Sequence, residues 1–170
     1  AIHVRDHDDK SHKNEIHLQN WICFHEEPVL AYWRDHHSPF DIGYGIHVLT
    51  DAQWVPRYRT KYPQLLLSSG MVKKELYYRE TYATDYELFR NVPRLKELFQ
   101  LLMAAEIPAD HPLLTASELD GWRQWMWGMY TGDAEERQPA QMLNKAYVLD
   151  FIRDAQPLMD RVYQHAFWDQ

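Results

Sequence analysis

Cysteine is nearly absent from this 170-residue sequence: Cys23 stands alone, so no internal disulfide forms and no CxxC pair exists. A chain of this length buries roughly 70% of the surface its unfolded form exposes, so its core needs neither a disulfide nor a structural metal. A lone thiol fits a reducing compartment, and the cytoplasm is the expected location. The apolar setting of Cys23, between Ile22 and Phe24, points to a buried, inert thiol rather than a nucleophile. No apolar run reaches the length of a membrane span, and the charged stretch from Ala1 to Lys13 lacks the apolar centre of a signal peptide.

Basic charge is also in short supply. Eighteen Lys and Arg face 25 Asp and Glu, for a net charge of −7. That balance argues against a nucleic-acid backbone or an anionic membrane as partner, since both need a basic face. It suits another protein with a basic face. The signatures of common chemistries are missing as well: no GxSxG, Walker loop, HExxH or EF-hand loop occurs. Gly43-Tyr44-Gly45 is only a fragment of a dinucleotide-binding loop.

What is abundant is histidine at one end and aromatic side chains throughout. Eight of the ten His (His3, His7, His12, His17, His25, His36, His37, His47) fall in the first 47 residues, among Asp6, Asp8, Asp9, Glu15, Glu26, Glu27, Asp35 and Asp41. Imidazole with carboxylate is a ligand set for zinc and non-haem iron. His25, His36, His37 and His47 are therefore the candidate ligands of an iron- or zinc-dependent enzyme. A helix opening at Pro28 would hold the His25 and His36-His37 groups about 15 Å apart at its two ends, which weighs against a single shared ion. Residues 1–14 read as a mobile, His-rich arm.

Seven Trp and eleven Tyr imply either a crowded core or a contact patch. Trp54, Tyr77, Tyr78, Tyr82 and Tyr86 form the candidate partner-binding set. The run Trp122–Tyr130 (WRQWMWGMY) is apolar all round, which means a central helix or one covered by a partner, and the central helix is the favoured reading.

The pattern predicts one domain over 1–170 that is mainly α, with room for α+β. A helical bundle occupies the C-terminal half, and a less regular N-terminal half holds a few short strands. Pro28 opens a helix to about His37, which Ser38-Pro39 stops. Residues 41–49 read as a loop or bent strand around Gly43 and Gly45. Thr50 with Gln53 reads as a capping box whose helix Pro56 limits to one turn, and Pro63 opens another short one. Residues 71–82 fit a helix or an edge strand. Thr84 with Glu87 and Thr115 with Glu118 read as further capping boxes. Pro93 opens a helix with Leu95, Leu98, Phe99 and Leu102 inward. The helix after Thr115 turns Leu119, Trp122, Trp125, Met126 and Met129 inward and stops at Gly132. Pro139 opens a long helix that Pro157 breaks or kinks.

An acidic, aromatic-rich domain without a catalytic signature leads to the expectation of an accessory or inhibitory protein-binding domain. A toxin-neutralising, immunity-like protein or a small partner subunit of a biosynthetic enzyme complex fits that description. The alternative is the His/carboxylate metal-dependent enzyme.

Overall fold

The computed structural model describes residues 18, 24–107, 110–111, 114–132 and 138–168. The arm over 1–14 and Cys23 lie outside them. The chain is mainly α-helical, with α1 (Glu27–Trp33), α2 (Pro39–Lys61), α3 (Lys74–Asn91), α4 (Pro93–Ala104), α5 (Ala116–Thr131) and α6 (Lys145–Phe167). A 3-10 turn covers Pro63–Leu65, and a two-residue antiparallel pair joins β1 (Asp110–His111) to β2 (Leu114–Thr115). Contacts group the described residues into two compact units, 24–74 with 146–168, and 75–145. Among the described residues no helix is long and apolar enough to cross a membrane.

In the unit of 24–74 and 146–168, α1 takes Pro28 in its first turn but ends at Trp33 rather than His37. Ser38 then caps α2. Its hydroxyl accepts from the Asp41 amide at 3.2 Å, while the Asp41 carboxylate accepts from the Ser38 amide at 3.2 Å and hydroxyl at 2.5 Å. This reciprocal box satisfies amides that a bare helix start leaves open. It launches a helix of 23 residues, where the sequence pattern suggested a loop or bent strand and then a single turn.

Two features overrode the local signals. A Cβ at Gly45 would collide with the Trp33 indole, so this glycine serves close packing of α1 on α2 rather than a turn. Pro56 sits inside α2, where it removes one backbone hydrogen bond. The buried face of Tyr44, Val48, Leu49, Ala52, Val55 and Tyr58 continues through it and offsets that loss.

Helix α6 lies antiparallel to α2: Tyr62 meets Tyr147, Trp54 meets Tyr147 and Phe151, and Gln53 reaches Met159. Pro157 lies within α6 and does not end it. Between α2 and α3, Leu66 and Val72 form an isolated antiparallel bridge. Gly70 supplies the left-handed backbone of that turn, at φ 80°.

In the unit of 75–145, α3 settles the ambiguity over 71–82 in favour of helix from Lys74 onward. Thr84 is an interior residue of α3 and not a cap. It is buried, and its hydroxyl donates to the Leu143 carbonyl at 2.6 Å, 59 positions away. One turn earlier, the buried Glu80 carboxylate accepts three backbone N–H bonds, from Gln141 (2.9 Å), Met142 (2.7 Å) and Leu143 (3.3 Å). These bonds hold 141–143 in a non-helical turn. That is why the last helix starts at Lys145 and not at Pro139.

Helices α4 and α5 form an antiparallel hairpin. Arg123 of α5 donates to the Leu102 and Ala105 carbonyls at the end of α4, at 3.4 and 2.8 Å, while Trp127 and Tyr130 meet Phe99. The Arg123 guanidinium thereby satisfies terminal carbonyls and sits at the negative end of the α4 dipole. Pro93 opens α4, and the Thr115–Glu118 box opens α5 as its sequence indicated. Gly132 follows the end of α5 in extended rather than left-handed backbone.

Candidate functional site

The five aromatic residues singled out for partner binding divide between core and surface. Trp54 is half-buried in the unit of 24–74 and 146–168, with ring contacts to Tyr58, Tyr147 and Phe151 at 5.0–6.2 Å. It is a packing residue of the α2–α6 contact. The four tyrosines all lie on α3. Tyr77 is half-buried, edge-on to Tyr78 at 5.6 Å, and Tyr86 is half-buried beside the Arg90 guanidinium, 5.1 Å from its ring. Tyr78 is 41% exposed and stacks on Tyr82 at 5.5 Å with 18° between the rings. This pair presents a flat aromatic surface with polar tips, the type of group that anchors protein interfaces.

Apolar surface on the neighbouring hairpin goes beyond these positions. Trp125 of α5 is 53% exposed, and Leu98, Leu101 and Leu102 of α4 are 44%, 63% and 38% exposed. Three of the four (Leu98, Leu102 and Trp125) were expected to point inward. Among the described residues neither α4 nor α5 contains a fully buried side chain. The reason lies in composition: Leu95, Leu98, Phe99, Leu101, Leu102 and Met103 are six apolar side chains in a 12-residue helix. They span more than the one face that Arg123, Trp127, Tyr130 and Phe89 cover. Leu101 was the signal missed, because it falls off the i, i+3, i+4, i+7 pattern.

On α5, Trp125 lies between two glycines at helical spacing. A Cβ at Gly121, one turn before, or at Gly128, one turn after, would meet nothing within 4 Å. Each helical glycine costs about 0.5–1 kcal/mol relative to alanine, and among the described residues no close contact asks for either one. Exposed Trp125 is thus flanked, one turn to each side, by a glycine whose backbone is open.

Asp85 is the second residue that sequence reasoning passed over. It lies on α3 between Tyr82 and Phe89, and burial pushes its carboxyl up to about 6, against a smaller opposing effect of a 3.4 Å hydrogen bond from the Tyr130 hydroxyl. Phe89 and Phe99 pack on the same Tyr130 ring, at 5.3 and 5.5 Å. An acid among aromatic residues, seven positions after Tyr78 on one helical stripe, was the available clue.

The four candidate metal ligands are not brought together. His25 is exposed ahead of α1. His36 stacks on Tyr32 with ring centroids 4.1 Å apart, and its Nδ1 lies 2.9 Å from the Tyr32 carbonyl. His37 stands edge-on to Phe167 at 6.0 Å. His47, on α2, pairs with Asp51 one turn later at 3.5 Å. Among the described residues, no group of three or more His, Cys, Asp or Glu is placed to hold a metal ion. His3, His7, His12 and His17 lie outside the described residues. Asp41, which shares the acidic stretch, is committed to the α2 cap and to the Tyr32 hydroxyl at 2.6 Å.

Comparisons with protein-family models, with curated proteins and with solved structures each return no match to this chain.

Proposed function

We propose that this chain is an accessory or inhibitory protein-binding domain, which engages another protein through aromatic surface of the unit 75–145. The observation that carries this reading is the exposure of Trp125 together with the open Cβ positions of Gly121 and Gly128 one turn to either side. A Trp left half in water forgoes roughly 1.5 kcal/mol of burial, and the two glycines add a helix-propensity cost. A partner seated on this face recovers both, because glycine lets its surface approach the backbone closely and close the water off around the indole. The Tyr78–Tyr82 stack on α3 is the second anchor. The net charge of −7 favours a partner with a basic face, mainly by speeding encounter.

The test is affinity capture of the tagged full chain from its own host, compared with Trp125→Ser and with Tyr78→Ser/Tyr82→Ser. One discrete protein retained by the native chain and lost with Trp125→Ser, at unchanged melting temperature, supports the reading. Retention of every captured protein by both variants removes it. The identity of the retained protein then separates a neutralised toxin from an enzyme subunit.

A further inference from the structure

The outer face of α4 carries an exposed apolar seam, and its chemistry is self-complementary. Arg94, Leu98 and Leu101 recur at spacings of four and three along α4, the spacing that keeps one stripe toward a single neighbouring helix. Leu98 and Leu101 are the exposed apolar centre of this stripe, with Leu102 at its edge. Its ends are charged in opposite senses. Arg94 and Lys96 stand in the first turn, which holds no acid, and Val92 provides no side-chain cap. Cations there oppose the positive end of the helix dipole. At the other end, exposed Glu106 follows the last turn, where acid again meets a like-signed pole. Within one chain Arg94 pairs with Glu97 at 3.0 Å and Arg123 caps the Leu102 and Ala105 carbonyls, which leaves the cations of the first turn facing the positive pole and Glu106 beyond the last turn.

We infer that α4 pairs with α4 of a second copy of this chain, antiparallel about a two-fold axis between Leu98 and Leu101. That register sets Leu98 of each copy against Leu101 of the other. It also brings Arg94 of each copy toward Glu106 of the other, so opposite charges meet at both ends of the contact. A two-fold contact uses the same surface on both chains, and few helix faces meet that requirement in apolar centre and in charge together. The contact is one 12-residue helix per copy, smaller than the roughly 800 Å² per partner of a standard interface. Association is therefore weak and depends on concentration.

Sedimentation equilibrium of the full chain between about 1 µM and 1 mM reads this directly. The native chain shifts from monomer to dimer across the range, and Leu101→Glu stays monomeric. Arg94→Glu and Glu106→Arg each weaken the dimer about tenfold at low salt, and the two together restore it to within about threefold. All three residues are exposed, so the variants keep the fold, checked by far-UV circular dichroism. A native chain that stays monomeric throughout overturns the inference, as does a dimer indifferent to Leu101→Glu or a charge exchange that fails to restore. None of these results bears on the Trp125 surface, whose capture experiment stands or falls separately.

Discussion

Asp85→Asn should make the protein more stable at neutral pH and leave it nearly unchanged in mild acid. Burial beside Tyr130 and Phe89 pushes the Asp85 carboxyl up from 3.8 to about 6. In the unfolded chain the same group loses its proton near pH 4. Between those values the folded state holds the proton more tightly, so folding stability falls as pH rises from about 4 to about 6 and stays lower above. A difference of this size corresponds to roughly 3 kcal/mol at pH 7. Asparagine keeps the shape and still accepts the Tyr130 hydrogen bond, but it has no charge to desolvate. The expected gain is about 2–3 kcal/mol at pH 7.5, shrinking to within about 0.5 kcal/mol at pH 4. Urea denaturation of both proteins at the two pH values measures it. The difference between them cancels the titration of the other acids. A variant less stable than the native chain at pH 7.5, or a difference that does not change with pH, would refute the reasoning and mean that the ionised carboxylate is satisfied where it stands.

Other perturbations test the packing described above. Gly45→Ala drives a methyl group into the Trp33 indole and should cost about 1–3 kcal/mol, read as a lower urea midpoint with altered Trp fluorescence. Glu80→Ala leaves three backbone amides of 141–143 without their acceptor and should cost about 3 kcal/mol or more. Amide hydrogen exchange would show its largest acceleration at those three positions. Thr115→Ala removes the box at the start of α5 and should cost about 1 kcal/mol, with exchange rising first in residues 116–119.

The punctuation of the fold was legible wherever a residue acts on its immediate neighbours. Pro28 and Pro93 each stand in the first turn of a helix, and Thr115 with Glu118 closes a box three residues long, whereas Ser38-Pro39, read as a stop, also opens α2. Reading failed where a distant partner decides. Gly45 resembles a turn residue until the Trp33 ring is placed against it. Thr84 resembles a cap until its hydroxyl meets Leu143, and Pro139 resembles a helix start until Glu80 claims the amides that follow. The candidate surface divided along the same line. The density of tyrosine in the middle of the chain singles out Tyr78 and Tyr82, although the sequence leaves 71–82 open between helix and strand; in the structure Tyr78 is exposed and Tyr82 half-buried beside it. Trp125 and Leu98 share the periodicity of core residues, and only the limited cover over α4 and α5 reveals them as surface.

The central claim is that another protein occupies the face around Trp125, and photo-crosslinking tests it most directly. A photoreactive residue replaces Trp125 in one sample and Arg153, an exposed residue of α6, in another, with irradiation in the native host. The account predicts one discrete adduct larger than the chain from position 125 and none from position 153. No adduct from position 125, or the same diffuse products from both, would contradict it.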